Sequence, residues 1–182
     1  MNLPNKITMF RVVLIPFFVF FMLSEHIAYH NYIAVAIFIV ASLTDMLDGK
    51  IARKYNLVSN FGKFMDPLAD KLLVSSAMIC FVALPSNPMP AWVVIVIIAR
   101  EFIISGFRLV ASDAGVVIAA SYWGKIKTVT QIIMSILLIV NFDGYIINIV
   151  EYVFIYAALI LTVISLVDYM VKNWSVMRDG NM

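Results

Sequence analysis

Four of the eight aspartates in this 182-residue chain lie between positions 45 and 70. Asp45 and Asp48 are three residues apart, and Asp66 and Asp70 are four apart. Those spacings put each pair on one face of a helix. An antiparallel helix pair joined by residues 54–63 would bring the two faces together as a pocket of four carboxylates. Converging carboxylates repel one another unless a cation sits among them. No histidine or cysteine is nearby, and oxygen-only ligands suit a hard divalent ion, magnesium or manganese, rather than zinc. Two such ions bridged by shared carboxylates would clamp the oxygens of a phosphoryl transfer.

Gly49, Ala52, Arg53 and Gly62 lie between the two pairs. Small residues at helical spacing permit close approach by a neighbouring helix or a nucleotide ring. Arg53 offers a planar donor fork suited to phosphate. Together these groups point to a metal-bound diphosphate substrate. The competing reading is that the carboxylates only pair with Lys50, Lys54, Lys63 and Lys71. A calcium loop fits less well, because Asp45-Met46-Leu47-Asp48-Gly49 lacks the alternating oxygen ligands of an EF-hand.

The elements that must position these groups are set by the composition. Hydrophobic residues make up 63% of the chain and charged residues 13%, about half the charged share of an average soluble domain. The mean hydropathy is +0.98. A soluble surface cannot be built from this composition. The apolar excess also excludes disorder, and the single cysteine, Cys80, excludes a disulfide scaffold. Six apolar stretches, 8–24, 32–53, 64–84, 91–111, 122–141 and 146–170, approach the length of about 20 residues that crosses a bilayer as helix. They are too long for barrel strands, so an all-α polytopic membrane protein with six transmembrane helices is expected. Pro85-Ser86-Asn87-Pro88-Met89-Pro90 and Asn141-Phe142-Asp143-Gly144 read as the turns between them.

Residues 1–6 are too few to span and are expected to lie along the interface. Ser24-Glu25-His26 offers no small-x-small cleavage site, so the segment before it is expected to remain as a permanent helix. No internal repeat, low-complexity tract or linker is evident, and residues 1–182 are expected to form one membrane domain. All thirteen basic residues fall in segments 1–7, 54–63, 112–121 and 171–182 or in the helix halves beside them. The opposite loops, 25–31, 85–90 and 142–145, hold none and carry Glu25 and Asp143 instead. This asymmetry predicts that both termini and the aspartate end are cytoplasmic. His26 and His30 then read as external interfacial residues, and Cys80 as packing.

The run from Asp45 to Asp70 resembles the signature of the CDP-alcohol phosphotransferases, D-x2-D-G-x2-A-R-x8-G-x3-D-x3-D, with all eight fixed positions present. Six helices with cytoplasmic ends are also similar to that family's architecture. Asn2-Leu3-Pro4-Asn5-Lys6-Ile7-Thr8, with Arg11 and Leu14-Ile15-Pro16, is similar to the start of the bacterial members that use glycerol 3-phosphate. So is the stretch from Arg100 to Arg108, followed by Gly124-Lys125-Ile126-Lys127-Thr128.

The resemblance implies transfer of a phosphatidyl group from CDP-diacylglycerol to sn-glycerol 3-phosphate, with release of CMP. It implies that Asp45, Asp48 and Asp66 hold magnesium or manganese ions.

 Two ions are the expectation, with Asp70 as the base that deprotonates the acceptor hydroxyl and a further contact to the second ion. Among four carboxylates, the residue chemistry alone does not single out the base. Gly49, Ala52, Arg53 and Gly62 would line the CDP site, with Asn5 and Thr8 contacting cytidine or its phosphates. A helix N-cap role is the other reading of Asn5 and Thr8. The family's typical homodimer is implied as well, in the cell membrane of a bacterium, with membrane lipid as partner and no nucleic acid.

Glycerol 3-phosphate is dianionic and needs cations beyond the metal pair. Arg100, Arg108, Lys125 and Lys127 are expected to supply them, against the plainer reading as positive-inside residues. Glu101 would orient Arg100 or merely neutralise it. Rival functions are the same chemistry on serine, inositol phosphate or phosphatidylglycerol, and, from a different class, divalent-cation transport. Serine would make a cationic acceptor pocket superfluous. A transporter would need acidic residues in both membrane halves, whereas the outer halves here are almost purely apolar.

Overall fold

A computed structural model describes residues 2–24, 26–54, 60–113, 116, 118 and 121–174, with the side chains at 45–54, 60, 63, 64, 67 and 113 outside that description. Among the described residues there are six helices and no strand. They are α1 (Leu3–Leu23), α2 (His30–Lys54), α3 (Asn60–Ala83), α4 (Ala91–Asp113), α5 (Tyr122–Val140) and α6 (Tyr145–Lys172). Each coincides with one of the six apolar stretches. The polytopic all-α membrane fold is therefore the observed one.

Two helix starts lie earlier than the apolar runs suggest. Residues 3–6, expected along the interface, are the first turn of α1. Pro4 sits in that turn, where its fixed φ suits a helix and its missing N–H is not needed. Similarly, α3 begins at Asn60, so the polar residues ahead of the apolar run belong to the helix too. Asn141 ends α5 in the left-handed region at φ 50°, with its N–H donating to the Leu137 carbonyl at 3.0 Å. Asparagine and glycine tolerate that conformation best.

Helices α1, α5 and α6 are long and apolar enough to cross a membrane. At 21 residues, α1 extends about 30 Å, the thickness of the hydrocarbon core. Helices α2, α3 and α4 have comparable length, at 25, 24 and 23 residues, but carry much of the charge. Among the described residues of α2, His30–Thr44 is an apolar stretch.

The chain divides into two compact units, Met1–Pro88 with Ser135–Asp143, and Met89–Met134 with Gly144–Met182. In the first unit α1 packs on both α2 and α3. Its buried face repeats every three or four residues: Pro4, Asn5, Thr8, Arg11, Ile15, Phe18 and Met22. Phe18 meets Phe38 of α2 with ring centroids 5.8 Å apart. Ala34 and Ala41 of α2, and Ala69 and Ala77 of α3, are buried; such small residues allow helices to approach closely. The outward face of α1 is apolar, with Phe10, Phe17 and Phe20 each at least half exposed. The fully buried Thr8 and Arg11 face inward. A water-soluble helix has the opposite distribution, and lipid accounts for this one.

In the second unit α4 packs on α6. Val93, Ile97 and Ile104 of α4 are buried, as are Ile155, Ala158, Thr162, Ser165 and Tyr169 of α6. Phe107 meets the Tyr169 ring edge-on at 5.6 Å. Outward-facing Ile95, Phe102, Leu109, Ile160, Val163 and Val167 are again apolar.

Candidate active site

Asp66 and Asp70 lie four residues apart in the first half of α3, Asp66 partly buried and Asp70 exposed. Asp45 and Asp48, with Gly49, Ala52 and Arg53, fall on the last three turns of α2; their side chains lie outside the described residues. Gly62, in the first turn of α3, is buried. Both aspartate pairs are thus helical, as their spacing predicts.

Asp66 has a described partner on α1. Thr8 donates its hydroxyl to Asp66 Oδ1 at 2.6 Å and also lies 3.1 Å from the Pro4 carbonyl. Asn5, Thr8 and Arg11 recur at intervals of three on the buried face of α1, which places their side chains in one stripe. The N-cap reading of Asn5 and Thr8 does not hold: both lie inside α1, whose N-cap is Asn2. Arg11, wholly buried in the same stripe, is a residue to which sequence reasoning assigned no site role. Its three-residue spacing from Thr8 was the available signal.

The donor set fits a hard divalent cation. Asp66 and Asp70 are oxygen donors on one face of α3. Among the described residues Asp66 accepts from a neutral hydroxyl rather than from a lysine or arginine. The carboxylate charge is therefore not cancelled by that contact. Among the described residues no group of three or more histidine, cysteine, aspartate or glutamate side chains gathers. Asp45 and Asp48, the other expected members of the set, have side chains outside the described residues.

The second unit holds the expected acceptor-site cations, and they differ from one another in setting. Arg100 Nη1 donates to Glu101 Oε1 at 2.9 Å, and Lys127 Nζ donates to the same oxygen at 2.5 Å. Glu101 thereby links α4 to α5. Lys127 is 2% exposed and Arg100 9%, so both charges are held away from solvent. Arg100 Nε is buried and has no hydrogen-bond partner among the described residues. Gly124 leaves room for this guanidinium: a Cβ there would lie 3.6 Å from Arg100 Nη2 and 3.4 Å from Ser121 Oγ. Arg108 is exposed, two helical turns beyond Arg100, with its guanidinium carbon 5.6 Å from the Tyr169 ring centroid. Lys125 is exposed on the first turn of α5. The structure therefore brings Arg100 and Lys127 together through Glu101 and leaves Arg108 and Lys125 open to a ligand.

A family model for CDP-alcohol phosphatidyltransferase matches residues 1–164. The chain belongs to that family. It is 46% identical to the CDP-diacylglycerol–glycerol-3-phosphate 3-phosphatidyltransferase of Bacillus subtilis (strain 168), over 99% of each chain. The protein of that same name from Haemophilus influenzae is 38% identical, covering 93% of this chain and 91% of its own. The one from Rickettsia felis is 36% identical, over 92% and 93%.

Proposed function

We propose that the chain is a phosphatidylglycerophosphate synthase, transferring the phosphatidyl group of CDP-diacylglycerol to sn-glycerol 3-phosphate and releasing CMP. One observation carries the reading: all eight fixed positions of the aspartate signature stand in a chain 46% identical to a relative named for this reaction. Asp45, Asp48, Asp66 and Asp70 would hold two magnesium or manganese ions. Bound there, the ions would neutralise the diphosphate and stabilise charge on the departing phosphate.

The chain's own residues do the rest. Asp70 takes the proton of the acceptor hydroxyl. The acceptor oxygen then bonds to the phosphorus that carries diacylglycerol, the bond from that phosphorus to the CMP oxygen breaks, and CMP leaves with the electron pair. Gly49, Ala52 and Gly62 give the nucleotide close backbone approach, and Arg53 pairs with its phosphates. Arg108 and Lys125 contact the acceptor phosphate. Arg100 and Lys127, joined through Glu101, add a fixed positive field beside them, with Arg100 Nε unspent. A serine acceptor would have no use for this cationic group.

The basic residues support a topology in which six helices span a bacterial cell membrane, with both termini and the site in the cytoplasm. A homodimer is part of the same reading. The test is CMP release by purified protein incubated with CDP-diacylglycerol and glycerol 3-phosphate, serine, inositol phosphate or phosphatidylglycerol, each with and without magnesium or manganese. Metal-dependent release with glycerol 3-phosphate alone is expected. Release that is greatest with another alcohol would overturn the acceptor assignment.

A further inference from the structure

We infer that Thr8 is a positioning residue for the divalent ion: it holds the Asp66 carboxylate in its ligating orientation and does not contact the nucleotide. The inference rests on the proposed role of Asp66 as a metal ligand.

A buried threonine in a helix usually returns its hydroxyl proton to the carbonyl four residues back. Thr162 does so in α6, at 2.6 Å from the Ala158 carbonyl, and the exposed Thr128 makes the same bond in α5, at 3.0 Å from the Gly124 carbonyl. Thr8 has the same option in the Pro4 carbonyl, at 3.1 Å. However, Asp66 Oδ1 is closer, at 2.6 Å, within the range of charge-assisted O–H···O bonds. One hydroxyl has one proton, and the shorter, charge-assisted bond takes it. Oδ1 is then fixed by α1, and the plane of the carboxylate with it. Oδ2 carries no such bond among the described residues and stays available to a cation. Partners of this kind orient ligating carboxylates, and their loss typically costs about 10–100-fold in metal affinity.

Burial argues against the nucleotide contact. Thr8 is 0% exposed. Its side chain is enclosed by protein, which leaves a cytidine or phosphate group no open approach to the hydroxyl.

The experiment uses the full chain in detergent with Mn2+ as the probe, its free concentration read by electron paramagnetic resonance. Variants are Thr8→Val, Thr8→Ser and Asp66→Asn, and the KM for CDP-diacylglycerol is measured in parallel at saturating Mn2+. Thr8→Val should weaken Mn2+ binding about 10-fold or more and leave that KM unchanged. Thr8→Ser retains the hydroxyl and should restore binding to within a few-fold of the parent. Equal losses in Thr8→Val and Thr8→Ser would assign the effect to the methyl group and overturn the inference. So would unchanged Mn2+ affinity in Thr8→Val with a raised KM for CDP-diacylglycerol. Asp66→Asn separates the two levels. If it binds Mn2+ like the parent, the metal-ligand reading falls. If it loses Mn2+ while Thr8→Val does not, only the positioning role falls.

Discussion

Lys127 Nζ and Arg100 Nη1 share a single oxygen of Glu101, so one carboxylate balances two buried cations. Both cations lie in a part of the chain shielded from water. Removing one partner of such a group leaves a buried charge uncompensated, which is costlier than never having the group at all.

The Glu101–Lys127 pair should therefore behave non-additively. Glu101→Leu is expected to destabilise the protein by about 3 kcal/mol. The double variant with Lys127→Leu should lose less than the sum of the single losses. Thermal unfolding of the four proteins in one detergent measures this coupling. Additive losses would mean that the two side chains are independently placed.

Lys125 is exposed where Lys127 is buried, and the two lysines should answer mutation differently. Lys125→Ala should raise the KM for glycerol 3-phosphate about tenfold, the effect of roughly 1.4 kcal/mol, with stability unchanged and the KM for CDP-diacylglycerol little affected. Equal rises in both KM values would remove Lys125 from the acceptor site.

Asp70→Asn keeps the size of the side chain and removes its basicity. Turnover should fall by about 100-fold or more, with CDP-diacylglycerol still bound in a filtration assay. An active Asp70→Asn protein would pass the role of base to another carboxylate.

Gly124 lies beside the Arg100 guanidinium, yet a Cβ would meet its neighbours at ordinary contact distances. Gly124→Ala should be tolerated and stabilise α5 by up to about 1 kcal/mol. Gly124→Leu has no such room and should lower activity by displacing Arg100. Steady-state kinetics and unfolding of the two variants separate these outcomes.

The helices were legible because apolar length alone dictates them in lipid, and the turn residues 85–90 and 141–144 mark real breaks. The starts of α1 and α3 were less legible, because a polar first turn carries no apolar signal. Helices α3 and α4 read as spans by length, but Asp66, Asp70 and Lys71 in α3, and Arg100, Glu101 and Arg108 in α4, interrupt their apolar runs. The site's residue types were legible in the aspartate spacing. Their partners were not: Thr8 and Asp66 are 58 positions apart, and Glu101 and Lys127 are 26 apart. No helical period connects residues at such separations; only packing between helices brings them together. Arg11 could be read as an outlying basic residue, and its burial emerges only once α1 has α2 and α3 against it.

The inward stripe of α1 also bears on how the protein is made. Thr8 finds its acid partner on α3, which leaves the ribosome some sixty residues later. Asn5, Thr8 and Arg11 all lie in the first half of α1, near the membrane surface, where polar side chains cost less than at the centre. Helix α1 can therefore insert and pack on α2 before its contacts with α3 are made. A chain truncated before Asp66 would keep both helices of the α1–α2 pair but lack the acid partner of Thr8.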